Sequence, residues 1–201
     1  MMVAIETEIK FAVTEQARLE ARLVELGFRR ETPRSFESNV LYDTAERGLR
    51  ARHELVRIRE YAGRTVVTHK RVPANGVGED RHKHRVETET EVTDGTAIAE
   101  ILRAAGLEPA FRYEKWRTEF GDGHGHCVVD ETPIGVYAEL EGEPKWIDAM
   151  AAKLEVPEAA RTTLSYGRLF DQWRERTGAT ATELTFAAVS AAAQAAGAAI
   201  G

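Results

Sequence analysis

The chain has one cysteine, no surplus of positive charge and no long apolar run. Each lack narrows what it can be. Cys127 alone cannot close an internal disulfide, which fits a reducing compartment. A formal net charge of −6 gives a general nucleic-acid-binding role no electrostatic support, although a locally basic site for a polyanion stays open. No apolar segment approaches the roughly 20 residues of a membrane span. The N-terminus is charged by Glu6 and shows no signal-peptide pattern, so none is expected. The expectation is a cytoplasmic protein with neither membrane nor nucleic acid as partner. No repeat of fixed period is visible.

What is present fits one domain with a real core: 201 residues, 43% hydrophobic and 30% charged. Ile5 to Phe11 (IETEIKF) alternates at period two and reads as a strand, with Glu6, Glu8 and Lys10 on one face and Ile5, Thr7, Ile9 and Phe11 on the other. On such a strand Glu6 and Glu8 stand about 7 Å apart on one side, within reach of a shared hard divalent cation. A lysine on the same row can hold an anion beside it.

Downstream, Thr14 is a candidate N-cap for a helix over 16–26 with Leu19, Leu23 and Leu26 on one face, stopped by Gly27. Residues 29–43 read as extended, bent at Pro33. A turn at 45–49 contains Gly48. Strands follow at 54–61 and 64–72, joined by Ala62-Gly63. The loop Pro73–Asp80 (PANGVGED) reads as flexible, and 81–92 alternates again. Asp94 caps a helix that Gly106 stops. Three strands, 109–120, 125–131 and 134–141, precede helices over 144–154 and 161–176. From Gly178 the composition turns to alanine, threonine and glycine, so 1–177 reads as the domain and 178–201 as a mobile tail or weak helix.

Most of these strands carry a charged row. Arg57 and Arg59 share one; Lys70 lies with Thr68 and Val66; Arg85, Glu87 and Glu89 share another. Lys115, Arg117 and Glu119 line up opposite Trp116, Asp130 with Val128, and Glu139 with Glu141. An open antiparallel sheet with one wet face would show this. If the sheet closes, the rows face inward, where charges must pair with each other or with a ligand. A lumen of carboxylates and guanidinium groups suits a polyphosphate with its metal ions.

The ordered set Glu6-x-Glu8-x-Lys10, LYDT at 41–44, VRIR at 56–59, THK at 68–70, Arg85-x-Glu87-x-Glu89, Glu114-Lys115-x-Arg117, Asp130 in VVDETPIG, Glu139-x-Glu141-Gly142 and Ser165-Tyr166 resembles the CYTH superfamily, the triphosphate tunnel metalloenzymes, over about residues 3–177. The resemblance implies an α+β fold: a closed antiparallel eight-stranded β-barrel flanked by helices, holding a triphosphate in its lumen. It implies Mg²⁺ or Mn²⁺ on Glu6, Glu8, Glu139 and Glu141. Lys10, Arg57, Arg59, Lys70, Arg85, Lys115 and Arg117 would bind the triphosphate, and Lys10, Glu87, Glu89 and Asp130 would take part in catalysis. Glu87 and Glu89 stay open between a second metal, water positioning and partners for the arginines. The internal ion pair that merely holds the barrel shape is the alternative for each.

Three functions follow from the resemblance. The first is metal-dependent hydrolysis of tripolyphosphate, thiamine triphosphate or a nucleoside triphosphate. The second is class IV adenylyl cyclase chemistry on ATP. The third is a non-catalytic polyphosphate-binding module. Family members are often dimeric, so a homodimer is a further expectation. His82, His84, His124 and His126 read as solvated loop residues, Cys127 as core or surface, and Trp146 and Trp173 as packing residues.

Overall fold

A chain that alternates at period two on so many segments has apolar rows to bury and charged rows to place, and one wrapped sheet satisfies both. In the computed structural model, which describes residues 2–74 and 81–198, the strands are β1 (Met2–Val13), β2 (Arg29–Asp43), β3 (Leu55–Tyr61), β4 (Arg64–Arg71), β5 (Lys83–Val92), β6 (Glu108–Gly121), β7 (Gly125–Thr132) and β8 (Gly135–Gly142). They pair antiparallel in the order β5-β4-β3-β2-β6-β7-β8-β1, and β1 pairs back onto β5 to close the barrel. The long β1 makes closure possible. Its first half pairs with β5 (Glu6 opposite Arg85) and its second half with β8 (Lys10 opposite Glu139). Residues directly opposite in a ladder share a face, so these registers put every charged row on the same side, the inside.

The outward apolar rows of β1, β6, β7 and β8 are covered by two helices. These are α1 (Gln16–Glu25) and α4 (Pro144–Lys153), packed in one core of Ile9, Phe11, Leu23, Phe120, Leu140, Ile147 and Met150 among others. Gly27, at φ 93°, and Gly106, at φ 86°, take the left-handed conformation that ends α1 and α3 (Gly95–Ala104). Asp94 caps α3 by accepting from the Ala97 N–H at 2.9 Å. The bend expected at Pro33 is a register break of the β2–β6 ladder between Thr32 and Ser35, where proline has no N–H to donate.

Several local expectations change. The cap before α1 is Glu15, not Thr14, and it makes no side-chain cap bond. The turn at 45–49 is a single helical turn, α2 (Gly48–Ala51), organised by Asp43, whose carboxylate accepts from the amides of Thr44, Leu49 and Arg50 at 2.8–3.0 Å. The last expected helix starts late. Arg161–Thr162 forms a short strand, β9, against Lys10 and Phe11. Then α5 (Tyr166–Thr177) begins with Ser165 as its N-cap, accepting from the Arg168 N–H at 3.4 Å. The part of the expected loop from Asn75 to Asp80 lies outside the described residues.

The alanine-rich segment is more ordered than its composition implies. Leu184 exchanges backbone hydrogen bonds with Arg112 and Glu114 and is fully buried. A sixth helix, α6 (Phe186–Ala198), follows, its first N–H bonded to the Glu114 carboxylate. Together α5 and α6 pack in a second core with Tyr113, Tyr166, Phe170, Leu184 and Val189. No helix among the described residues is long and apolar enough to cross a membrane.

Candidate active site in the barrel lumen

The inward rows enclose a cavity of about 420 Å³ whose walls include Glu6, Glu8, Lys10, Arg57, Arg59 and Lys70, together with Glu87, Glu89, Lys115, Arg117, Glu139 and Glu141. Twelve of the fourteen residues singled out from the sequence as metal, substrate or catalytic groups thus surround one space; Arg85 and Asp130 are the exceptions. Arg85 belongs to the same inward row but lies beyond the cavity, at one end of the barrel, where it donates to its neighbour's carbonyl, His84 O.

The acids separate into two groups. Glu6, Glu8 and Glu141 each offer an oxygen, and these lie within 4.8 Å of one another. Three converging carboxylates fit a hard divalent ion, with Lys70 beside Glu6 and Lys83 beside Glu8 balancing two of them. Burial, then the charges of Glu6, Glu139 and Glu8, push the Glu141 carboxyl up to about 8. Burial pushes Glu8 the same way, but Lys83, Lys10 and Lys70 override it and hold that carboxyl at about 2. Glu139, expected beside them as a fourth ligand, faces the basic row instead. It pairs with Lys10 at 2.6 Å and Arg117 at 2.8 Å, and these cations outweigh its burial and keep it well below the usual carboxylate range.

The basic row is held from behind. Asp130, fully buried, accepts from Lys115 Nζ (2.9 Å), from Arg117 Nε and Nη2 (both 2.7 Å) and from the Tyr166 hydroxyl (2.6 Å). With four donors on two oxygens it has no atom to offer a substrate, and it does not line the cavity. The catalytic role expected of it gives way to positioning, because β6 and β7 pair Arg117 directly opposite it. The Lys10 and Lys115 ammonium groups lie 4.6 Å and 4.8 Å from the centre of the Tyr166 ring.

Glu87 and Glu89 also part company. Glu89 accepts from Thr68 at 2.6 Å and stands 3.5 Å and 3.6 Å from Arg57 and Arg59, an arginine partner. Glu87 has Lys70 at 3.1 Å, and burial pushes its carboxyl up to about 7 despite that lysine. A carboxyl near neutrality on the wall of this cavity is suited to taking a proton from water.

Sequence reasoning missed four neighbours. Glu37, fully buried, stands 3.3 Å from Lys115 and 3.7 Å from Arg117. Burial raises its carboxyl, but these cations with Arg57 and Arg59 hold it at about 2. Lys83 bonds Glu8, and Tyr113 accepts from Arg57 at 3.1 Å. Glu37 sits two residues from Asn39, and Lys83 two before Arg85, so each could have been read by extending the alternation. Glu31 has no such signal, since the break at Pro33 scrambles the period; it meets His126 at 3.0 Å at the far mouth. The histidines are not all solvated loop residues: His82 is buried against Asp148 at 3.2 Å and His84 bonds Thr7 at 2.9 Å. Cys127 is buried in the core, where its thiol is pushed up by burial. Trp146 packs on Phe28 and donates to Asp122, and Trp173 stacks on Phe170.

Comparison with known proteins agrees with this geometry. The CYTH domain profile matches residues 4–162. A protein named "Putative adenylate cyclase" from Methanocaldococcus jannaschii is 25% identical over 138 residues, 68% of this chain and 76% of that protein. A solved structure from Vibrio parahaemolyticus, also described as a "putative adenylate cyclase", superposes with a TM-score of 0.71 at 22% identity, covering 85% of this chain and 99% of its own. A plant protein from Hippeastrum, described as a "putative adenylyl cyclase" with a dominant triphosphatase activity, gives 0.55 at 18% identity, covering 85% and 96%. The two structures share the fold with this chain.

Proposed function

The chain belongs to the CYTH domain family, and on that premise we propose that it is a metal-dependent phosphohydrolase whose barrel grips a triphosphate end to end. The observation that supports this reading is the juxtaposition in one lumen of the Glu6, Glu8 and Glu141 oxygens with the cations of Lys10, Arg57, Arg59, Lys115 and Arg117. Binding alone would need the cations but not the three converging acids. In this reading Mg²⁺ or Mn²⁺ is held by those acids, and when bound it neutralises charge on the phosphoryl oxygens. The arginines and lysines hold the remaining oxygens, fixed in advance by Asp130, Glu37 and Glu139, so that little reorganisation accompanies charge development. Glu87 takes the proton of the attacking water, and Glu89 keeps Arg57 and Arg59 aimed at the chain.

Adenylyl cyclase chemistry is the second reading, because the archaeal and Vibrio proteins carry that name. One incubation separates the readings: purified protein with tripolyphosphate, thiamine triphosphate or ATP, plus Mg²⁺ or Mn²⁺. Free phosphate supports hydrolysis. Cyclic AMP with pyrophosphate supports cyclisation, and binding without product supports a binding module.

Two further results follow. Among the described residues, Arg59 pairs with Glu89 at 3.6 Å, and its Nε is buried without a hydrogen-bond partner. Arg59→Ala should weaken triphosphate binding about tenfold or more, the worth of a charge-assisted hydrogen bond, yet leave the melting temperature unchanged or raised. A large fall in melting temperature would show that Arg59 is a structural ion pair. The second concerns pH. Glu141 has a folded-state value of about 8 against an ordinary 4.5, so the metal-free fold takes up a proton there. That stabilising contribution is complete below pH 4.5 and is lost as pH rises through about 8. A cation must displace this proton, so Mn²⁺ affinity measured by calorimetry should fall by about 100-fold between pH 9 and pH 6. A flat profile would take Glu141 out of the ligand set.

A further inference from the structure

The tunnel does not end at its cation-lined middle. A second cavity, of about 470 Å³, opens off it where α5 begins, and the two share Leu41, Leu55, Lys70, Lys83, Phe111 and Gly167 as walls. Around the outer cavity stand Arg47, Arg50, Lys70, Lys83, Arg85 and Arg168, against three carboxylates, Asp43, Glu54 and Asp171. Lys70 and Lys83 are already paired with Glu6, Glu87 and Glu8, which leaves four arginines against three acids, in a chain whose formal charge is −6. The acids are already engaged. Asp43 accepts from backbone amides and Glu54 from Arg52. Asp171 is shared by Arg50 at 3.4 Å and Arg168 at 3.8 Å. Among the described residues, the Arg47 and Arg85 side chains donate to backbone carbonyls, those of Ala110 and His84.

We propose that the outer cavity binds phosphate groups beyond the third, so that this chain takes inorganic polyphosphates of four or more units with the surplus units lying toward Arg50 and Arg168. The proposal rests on the triphosphate reading of the tunnel, with which it shares Lys70 and Lys83. The first turn of α5 supports it. Ser165 and Gly167 are in the cavity wall, which brings the positive end of a twelve-residue helix to the same place. Arginines suit this role because a guanidinium meets two phosphate oxygens at once.

The test is calorimetric titration of tripolyphosphate, tetrapolyphosphate and ATP in metal-depleted buffer near physiological ionic strength, so that no turnover intervenes. The proposal expects tetrapolyphosphate to bind about tenfold tighter than tripolyphosphate, one added charge-assisted contact. In the double variant Arg50→Gln/Arg168→Gln, both on exposed positions, that advantage should vanish while tripolyphosphate affinity stays as in the wild type. Equal affinity for the two chains in the wild type, or an advantage that survives in the double variant, overturns the proposal. So does ATP binding tighter than tetrapolyphosphate, which would assign the walls of Leu41, Leu55 and Phe111 to an organic group. Failure of tripolyphosphate itself to bind overturns the tunnel reading and this proposal with it.

Discussion

Asp130→Asn should destabilise the protein by about 3–5 kcal/mol, the penalty for breaking a buried ion pair from one side. For a chain of this size that lowers the melting temperature by roughly 6–20 °C. Asp130 takes donors from Lys115, Arg117 and Tyr166 in a place with no exposure. The amide would turn one acceptor into a donor facing cations, while Lys115 and Arg117 kept only Glu37 and Glu139 as acid partners. Because added triphosphate would supply the missing negative charge, ligand should restore much of the lost stability, more than it adds to the wild type. Thermal unfolding with and without tripolyphosphate measures both effects. A variant that melts like the wild type would show that Asp130 does not anchor the basic row.

Glu6→Gln should remove turnover, by about 100-fold or more at a metal concentration that saturates the wild type, because loss of one ligand of three weakens both metal binding and charge neutralisation. The fold should survive. Glu6 is half-buried, and its partner Lys70 keeps Glu87 at 3.1 Å. Raising Mn²⁺ should recover part of the activity if the defect is in binding. Unchanged activity at limiting metal would place the ion elsewhere, and a collapsed melting temperature would make Glu6 a structural acid.

Much of this was legible in the sequence because period-two alternation is a local signal. Glu6, Glu8 and Lys10 can be placed on one face without knowing any neighbour, and the structure puts them on the lumen side. What the alternation could not give is which rows face each other. The β1–β5 pairing that closes the barrel joins segments some eighty residues apart, and only that register sets Arg85 opposite Glu6. Roles were hidden for the same reason. Glu139 and Glu141 look equivalent on their strand, yet one meets Lys10 and Arg117 while the other meets Glu6 and Glu8. The alanine-rich segment, expected as a mobile tail or weak helix, forms α6, and its anchoring comes from Leu184 and Phe186 hydrogen-bonded onto β6 rather than from its own periodicity.

The central claim is that one lumen holds a phosphate chain between buried cations and a metal on converging acids. Calorimetric titration of tripolyphosphate into the wild type and Glu6→Gln, each with and without Mg²⁺, tests it most directly. The account predicts one site per chain, binding to the basic row without metal, and a gain in affinity with Mg²⁺ that the wild type shows and Glu6→Gln loses. Binding that ignores both the metal and the substitution, or no binding at all, would contradict it.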